Sequence, residues 1–206
     1  MFKYPIIVFE GVEGSGKSYH IKNIQKYLKK KKIKFIKLRE PGGSINSEKI
    51  RRMILSNNSN FHKLTDLFLY IASRNENIQN IIKKNYKKKV ILIDRFKDST
   101  VAYQHFGMNI NKKLIMNLNN VVLKNIKPNF TFLNIVNMKN LKRRIDRRKK
   151  NRYDKFNYKF YSKVQKGFIK LAQNKNNYMI VNSNNNILKN KTKILKKINS
   201  LLSIWI

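Results

Sequence analysis

Residues Gly11-Val12-Glu13-Gly14-Ser15-Gly16-Lys17-Ser18 fit the pattern G-x-x-x-x-G-K-S/T. Each position has a chemical reason. The glycines permit tight turning and close backbone approach, so successive N–H groups can converge on phosphate oxygens. Lys17 has the reach to meet terminal phosphates, and the Ser18 hydroxyl is an oxygen ligand suited to Mg²⁺. A second set stands at Asp94-Arg95. Its carboxylate can orient a cation or its waters, and its guanidinium can grip a phosphate bidentately. Together these residue types point to chemistry on a nucleoside polyphosphate.

Such groups work only where the chain holds them. The apolar run Ile6-Ile7-Val8-Phe9 before the glycine loop reads as a buried strand, and a helix is predicted from Ser18 to Lys30. The N-terminus of that helix adds partial positive charge to the loop. Further strand-like runs cover 34–38, 90–93, 130–135 and 178–181. The runs at Ile6 and Val90 are continuously apolar, which suits a parallel sheet covered on both faces. The intervening stretches are long enough for crossover helices. The segment from Ile187 to Trp205 has helical apolar spacing, and the Asn-rich stretch 182–186 reads as a loop with no functional signal. The expected fold is α/β: a P-loop NTPase with a doubly wound, parallel five-stranded sheet flanked by helices. One domain is expected over residues 1–206, with a short basic lid at about 142–155.

The net charge is +37, from 47 Lys+Arg against 10 Asp+Glu. Charge alone would point to nucleic acid or another polyanion. The excess is mostly Lys, however, and accompanies heavy use of Asn, Ile, Phe and Tyr, residues with A/T-rich codons. The bases are also spread along the chain and form no tail or stripe. Codon composition accounts for this, so nucleic acid is not the expected partner, although a basic surface favours encounter with anionic nucleotides. The ten acids are more informative, because Glu10, Glu13, Glu40, Asp94 and Asp98 lie inside or beside the motifs. Cysteine is absent, which excludes disulfides and cysteine metal sites. No apolar run nears the ~20 residues of a membrane span, and the N-terminus lacks a signal-peptide layout. A cytoplasmic enzyme with no membrane partner is expected.

Three further segments narrow the chemistry. Arg39-Glu40-Pro41-Gly42-Gly43 follows the second strand, at the sheet edge where ligands bind in open α/β folds. Tyr70 and Arg74 are one helical turn apart, so a ring and a guanidinium share a face that could stack on and hydrogen-bond a nucleobase. The third segment runs from Asp94 to Gln104. The stretch from Lys142 to Arg152 is strongly basic and reads either as a solvated helix face or as a phosphate-clamping lid.

In combination these blocks resemble the thymidylate kinase (dTMP kinase) family. The resemblance runs from about Ile6 to at least Ala172 and is densest at 10–18, 39–43, 72–74 and 94–104. It implies ATP as co-substrate with Mg²⁺, dTMP as acceptor, and a homodimer. Gly11, Val12, Glu13, Gly14, Ser15, Gly16, Lys17 and Ser18 would hold the ATP phosphates, with Glu13 also approaching the acceptor. Tyr70, standing where the family commonly has Phe, would stack on thymine, and Arg74 would contact its carbonyl. Arg95 would hold the dTMP phosphate, with Arg39 near that region. Thr100 and Gln104 would line the base pocket, and Tyr103 would disfavour a 2′-hydroxyl. Asp94 and Ser18 would serve the Mg²⁺. This P-loop carries no Arg, so the resemblance implies that the lid supplies the catalytic charge, with Arg147 and Arg152 as the expected carriers.

The acceptor oxygen of a monophosphate is already ionised at pH 7, so positioning and charge neutralisation matter more than a general base. His20, His62 and His105 are expected to be bystanders. Two other readings stay open: another nucleotide or deoxynucleoside kinase of the same fold, the latter needing a carboxylate base, and a basic nucleic-acid-binding P-loop protein that uses ATP as a switch.

Overall fold

The protein is described by a computed structural model covering residues 4–147 and 150–205. Five strands, β1 (Ile6–Glu10), β2 (Phe35–Arg39), β3 (Val90–Asp94), β4 (Phe130–Ile135) and β5 (Tyr178–Asn182), form one sheet in the order β2-β3-β1-β4-β5. Every neighbouring pair is parallel. β1 is central and buried along its length. Alternation along it sends Ile7 and Phe9 to one face and Ile6 and Val8 to the other. On the first face Ile21, Ile24 and Leu28 of α1 (Lys17–Lys30) and Ile194 and Ile198 of α9 (Ile187–Trp205) complete the core. On the second face the partners are Ile78 and Ile82, beyond α3 (Lys63–Asn77), and Leu123 of α6 (Lys112–Leu123).

The remaining helices fill the crossovers. α2 (Ile45–Leu55) precedes α3, and α4 (Lys83–Asn85) ends the β2–β3 connection. The short α5 (Lys97–Thr100) follows β3. α7 (Met138–Asp146), a 3₁₀ turn at Arg152–Lys155 and α8 (Tyr158–Ala172) join β4 to β5. Asparagine, abundant in this chain, supplies the caps. Asn111, Asn137 and Asn157 accept first-turn N–H groups of α6, α7 and α8.

Strands β1, β2, β3 and β5 each run one residue past their last apolar position, through Glu10, Arg39, Asp94 and Asn182. The ladder needs backbone groups, not apolar side chains, so a reading based on apolar runs stops short. These polar ends lie at the carboxyl edge of the sheet. The strand order reverses about β1 there, which opens the crevice in which such folds bind ligands.

Two stretches widen from α to π geometry, Ile78–Ile82 and Val101–Gly107. In the second, Met108 N–H reaches back five residues to the Tyr103 carbonyl at 3.0 Å. Gly107 allows the segment to pack closely on α8, since a Cβ there would lie 2.6 Å from the Phe160 ring.

Candidate active site

The glycine loop leaves β1 at Gly11, whose φ is +132°. A Cβ at that position would lie 2.2 Å from the Asn134 carbonyl oxygen of β4, so only glycine fits. α1 then starts at Lys17, with its N-terminal turn facing a cavity of about 690 Å³. Lys17 is 6% exposed, and its Nζ donates to the Gly11 and Val12 carbonyls at 2.9 and 3.0 Å. Burial, helped by repulsion from Arg95, pulls its pKa down to about 8. Ser18 and Asp94 line the same cavity, and Asp94 Oδ1 is buried with no hydrogen-bond partner. An orphaned carboxylate oxygen in the same cavity as a hydroxyl fits the oxygen donors Mg²⁺ requires.

The arginines of the basic stretch separate. Arg144 on α7 donates to the Gly14 carbonyl at 2.9 Å and to the Ser183 carbonyl at 3.0 Å. Ser183 Oγ in turn donates to the Ser15 carbonyl at 2.6 Å. Arg143 and Arg144 both line the large cavity. The arginines expected there stand elsewhere. Arg147 is an exposed residue beyond the end of α7. Arg152 is paired with Asp66 at 2.5 Å, its guanidinium between the Phe61 and Tyr153 rings. The reason lies in helix phase: Leu141 and Ile145 are buried one turn apart, which fixes Arg144 toward the loop.

A second, narrower cavity of about 120 Å³ adjoins the first, and Glu13, Glu40, Arg51 and Arg95 line both. Arg95 joins them. It takes a positive φ of 70°, and its Nη2 pairs with Glu13 at 2.7 Å while Nη1 reaches the Gly11 carbonyl at 2.8 Å. Its guanidinium lies 5.3 Å from the Tyr103 ring centre. Tyr70, Arg74, Thr100, Tyr103 and Gln104 line the narrow cavity together. Arg74 is 2% exposed, with Nε on Glu40 at 2.7 Å and Nη1 on Asn119 at 2.5 Å. Thr100 Oγ1 is buried without a partner. Arg39 is half exposed and pairs with Glu48 at 3.1 Å, on the rim of the large cavity.

The Arg95 turn is braced from behind by Glu10, 1% exposed. Glu10 accepts from Phe96 N–H at 2.9 Å and from Ser99 N–H and Oγ at 3.2 and 2.5 Å. Burial and the nearby Asp98 raise its pKa to about 8. Of the histidines, His62 caps α3 and His105 bonds the Ile110 carbonyl oxygen. His20 lines the large cavity, and burial lowers its pKa to about 4, so it is neutral at pH 7.

Several lining residues were not singled out from the sequence. Arg51 stands at the junction of the cavities, its Nη1 on the Pro41 carbonyl at 2.7 Å. A lone Arg on a helix carries no spacing signal. Tyr153 and Tyr161 wall the narrow cavity from the far side. The Asn-rich stretch read as featureless is corrected: Ser183, Asn184 and Asn185 line the large cavity. Asn184 Oδ1 accepts from Asn140 Nδ2 at 3.0 Å, tying the loop to α7. A chain rich in Asn everywhere hides such a loop from composition.

Two adjoining sites, one for a polyphosphate and one for a flat base, suit transfer between two nucleotides. Comparison with known proteins agrees. The family model described as Thymidylate kinase matches residues 9–194. A thymidylate kinase of Thermosipho africanus is 36% identical over 182 residues, 88% of this chain and 90% of its own. One of Mycoplasma capricolum is 38% identical over 173 residues, 82% of this chain and 81% of its own. The crystal structure of thymidylate kinase from Ehrlichia chaffeensis superposes with a TM-score of 0.77 at 29% identity, covering 95% of this chain and 98% of that one. By motif, by fold and by these relatives, the chain belongs to the thymidylate kinase family.

Proposed function

We infer that the protein transfers a phosphoryl group from ATP to dTMP, giving ADP and dTDP. The observation that carries this reading is the pair of adjoining cavities with Arg95 and Glu13 in both linings. The large one takes ATP, whose phosphates meet the loop Gly11–Ser18 and Lys17. The narrow one takes thymine against Tyr70, with Arg74, Thr100 and Gln104 as polar partners and Tyr103 beside the deoxyribose. Arg95, with Arg51 and Arg39 nearby, holds the acceptor phosphate between them.

Catalysis by these residues is positional and electrostatic. Arg95 brings an already ionised phosphate oxygen into line with the donor, so no side chain need remove a proton. Charge spreading over the transferred group is met by Lys17 and by arginines of the basic lid, taken here as 142–155. Arg143 and Arg144 are the lid arginines that line the large cavity, while Arg147 is exposed beyond α7 and Arg152 pairs with Asp66. Ser18 and Asp94 would hold Mg²⁺, which supplies a Lewis acid for the phosphate oxygens. Residues 1–206 act as one kinase domain. Apolar side chains exposed on α2, α3 and α6, among them Met53, Phe68 and Val121, suit a homodimer. The site provides for a nucleotide and nothing in it calls for nucleic acid or a membrane; among the described residues no helix is long and apolar enough to cross one. A cytoplasmic place fits this chemistry.

The test is ADP release with ATP and Mg²⁺ across dTMP, dUMP, dCMP, AMP and thymidine. The expected result is turnover of dTMP that Lys17→Ala and Arg95→Ala each reduce by about 10²-fold or more. Phosphorylation of thymidine without dTMP turnover would replace this reading with a nucleoside kinase.

A further inference from the structure

Asp66 belongs to none of the motifs above, yet it is 4% exposed and both its oxygens are engaged. Oδ1 accepts from Arg152 Nη2 at 2.5 Å, and Oδ2 accepts from the Tyr153 hydroxyl at 3.3 Å. Arg152 pairs with the buried carboxylate, so neither charge is buried alone. Tyr153 carries the effect inward. Its ring stands edge-on to Tyr70 and Tyr103, at 6.0 and 6.1 Å, in the wall of the narrow cavity. Its oxygen also meets Gln104 Nε2 at 3.5 Å.

The Tyr153 hydroxyl stands among Asp66, Gln104 and the Tyr70 hydroxyl. A carboxylate paired with a guanidinium accepts, and the Tyr153 hydroxyl donates to it. The Tyr153 oxygen then accepts, and Gln104 turns its NH₂ toward it. The Gln104 carbonyl oxygen becomes the amide atom left for the base. Gln104 is 1% exposed and lines the narrow cavity, so its orientation is part of the site. A carbonyl oxygen there accepts from a base that has an N3–H, as thymine and uracil do. Cytosine presents a bare N3 acceptor, which a carbonyl oxygen repels.

We propose that Asp66 is a positioning residue for base selection: through Tyr153 it fixes the Gln104 amide so that its carbonyl oxygen faces the base, favouring pyrimidines with an N3–H over cytosine. The proposal rests on the dTMP kinase reading. It also gives Arg152 a task away from the phosphates, as the ion-pair partner of Asp66.

The experiment compares kcat/KM for dTMP and dCMP at saturating ATP in the wild type, Asp66→Asn and Tyr153→Phe. Where dCMP turnover is too slow to follow, dCMP is read as a competitive inhibitor against dTMP. Asn at 66 can donate to the Tyr153 oxygen, which frees the hydroxyl proton for Gln104 and reverses its amide. Phe at 153 removes the link. Both variants are expected to lower the dTMP-over-dCMP preference by about tenfold or more, with the KM for ATP within about twofold of wild type. A merely structural role would not move that ratio. An unchanged ratio in a variant with wild-type ATP KM overturns the proposal. Should Asp66→Asn fail to fold, Tyr153→Phe decides alone. A wild type that does not use dTMP overturns the dTMP kinase reading instead.

Discussion

Lys17 ties nucleotide binding to pH. Its Nζ is buried against two loop carbonyls, and its pKa falls from 10.5 to about 8. ATP needs the charged amine, and phosphates in the loop would draw its pKa back up. ATP affinity should therefore fall as pH rises through about 8, with proton uptake on binding above that pH. Titration calorimetry in two buffers of different ionisation enthalpy reads this uptake directly, and equal heats at pH 8.5 would contradict it. Glu10 titrates in the opposite sense. Its pKa rises from 4.5 to about 8, so between those values the native state holds a proton that the unfolded chain has lost. Its contribution to stability is fully present below 4.5 and is lost as pH rises through about 8. Glu10→Gln keeps an oxygen for the Phe96 N–H and removes the titration. Urea melts of this variant from pH 5 to 9 should show a flatter dependence of stability on pH than wild type.

Among elements, legibility in the sequence followed local physics. Of the chain's seven glycines, those at 11, 14, 16, 42 and 43 take positive φ. Where glycine is that scarce, its clustering marks the tight loops at the carboxyl edge of the sheet. Helical spacing puts Tyr70 and Arg74 on one face, and Asp94-Arg95 stands at a strand end, but Thr100, Tyr103 and Gln104 were implied only by the family resemblance. Two features were not legible. The π segment at Val101–Gly107 arises from close packing on α8, which no local pattern reports. Within the basic stretch all arginines look alike until the phase of α7 is set. The buried pair Leu141 and Ile145 sets it and turns Arg144 to the Gly14 and Ser183 carbonyls. Arg144→Ala should accordingly raise the KM for ATP by about tenfold and leave the KM for dTMP near wild type. Arg147→Ala, beyond the helix end, should change the KM for ATP by less than about threefold. Steady-state kinetics with each substrate varied in turn separates the two. A larger effect at Arg147 would mean that the basic segment rearranges when ATP binds.

At the scale of the whole molecule, a net charge of +37 opposes the association that the exposed apolar side chains favour. Ile45 and Met53 on α2, Phe68 on α3 and Val121 on α6 are 82%, 49%, 52% and 70% exposed, and α3 packs against both α2 and α6. Burying such side chains between two copies contributes about 25 cal/mol per Å². Two like-charged copies repel over a range set by the Debye length, about 30 Å at 0.01 M salt and about 10 Å at 0.1 M. Salt therefore removes the repulsion and leaves the apolar term. A homodimer formed through these side chains, as proposed, should dissociate more readily at low ionic strength and tighten as KCl rises from 20 to 300 mM. Encounter with anionic ATP and dTMP runs the other way, because it draws on the same charge and is weakened by the same screening. Sedimentation velocity across that salt series tests the first trend, and kcat/KM for each nucleotide tests the second. Phe68→Asp puts a charge on the apolar face without touching either cavity, so it should give a monomer at every salt concentration. A dimer that persists in this variant would place the interface on another face of the molecule.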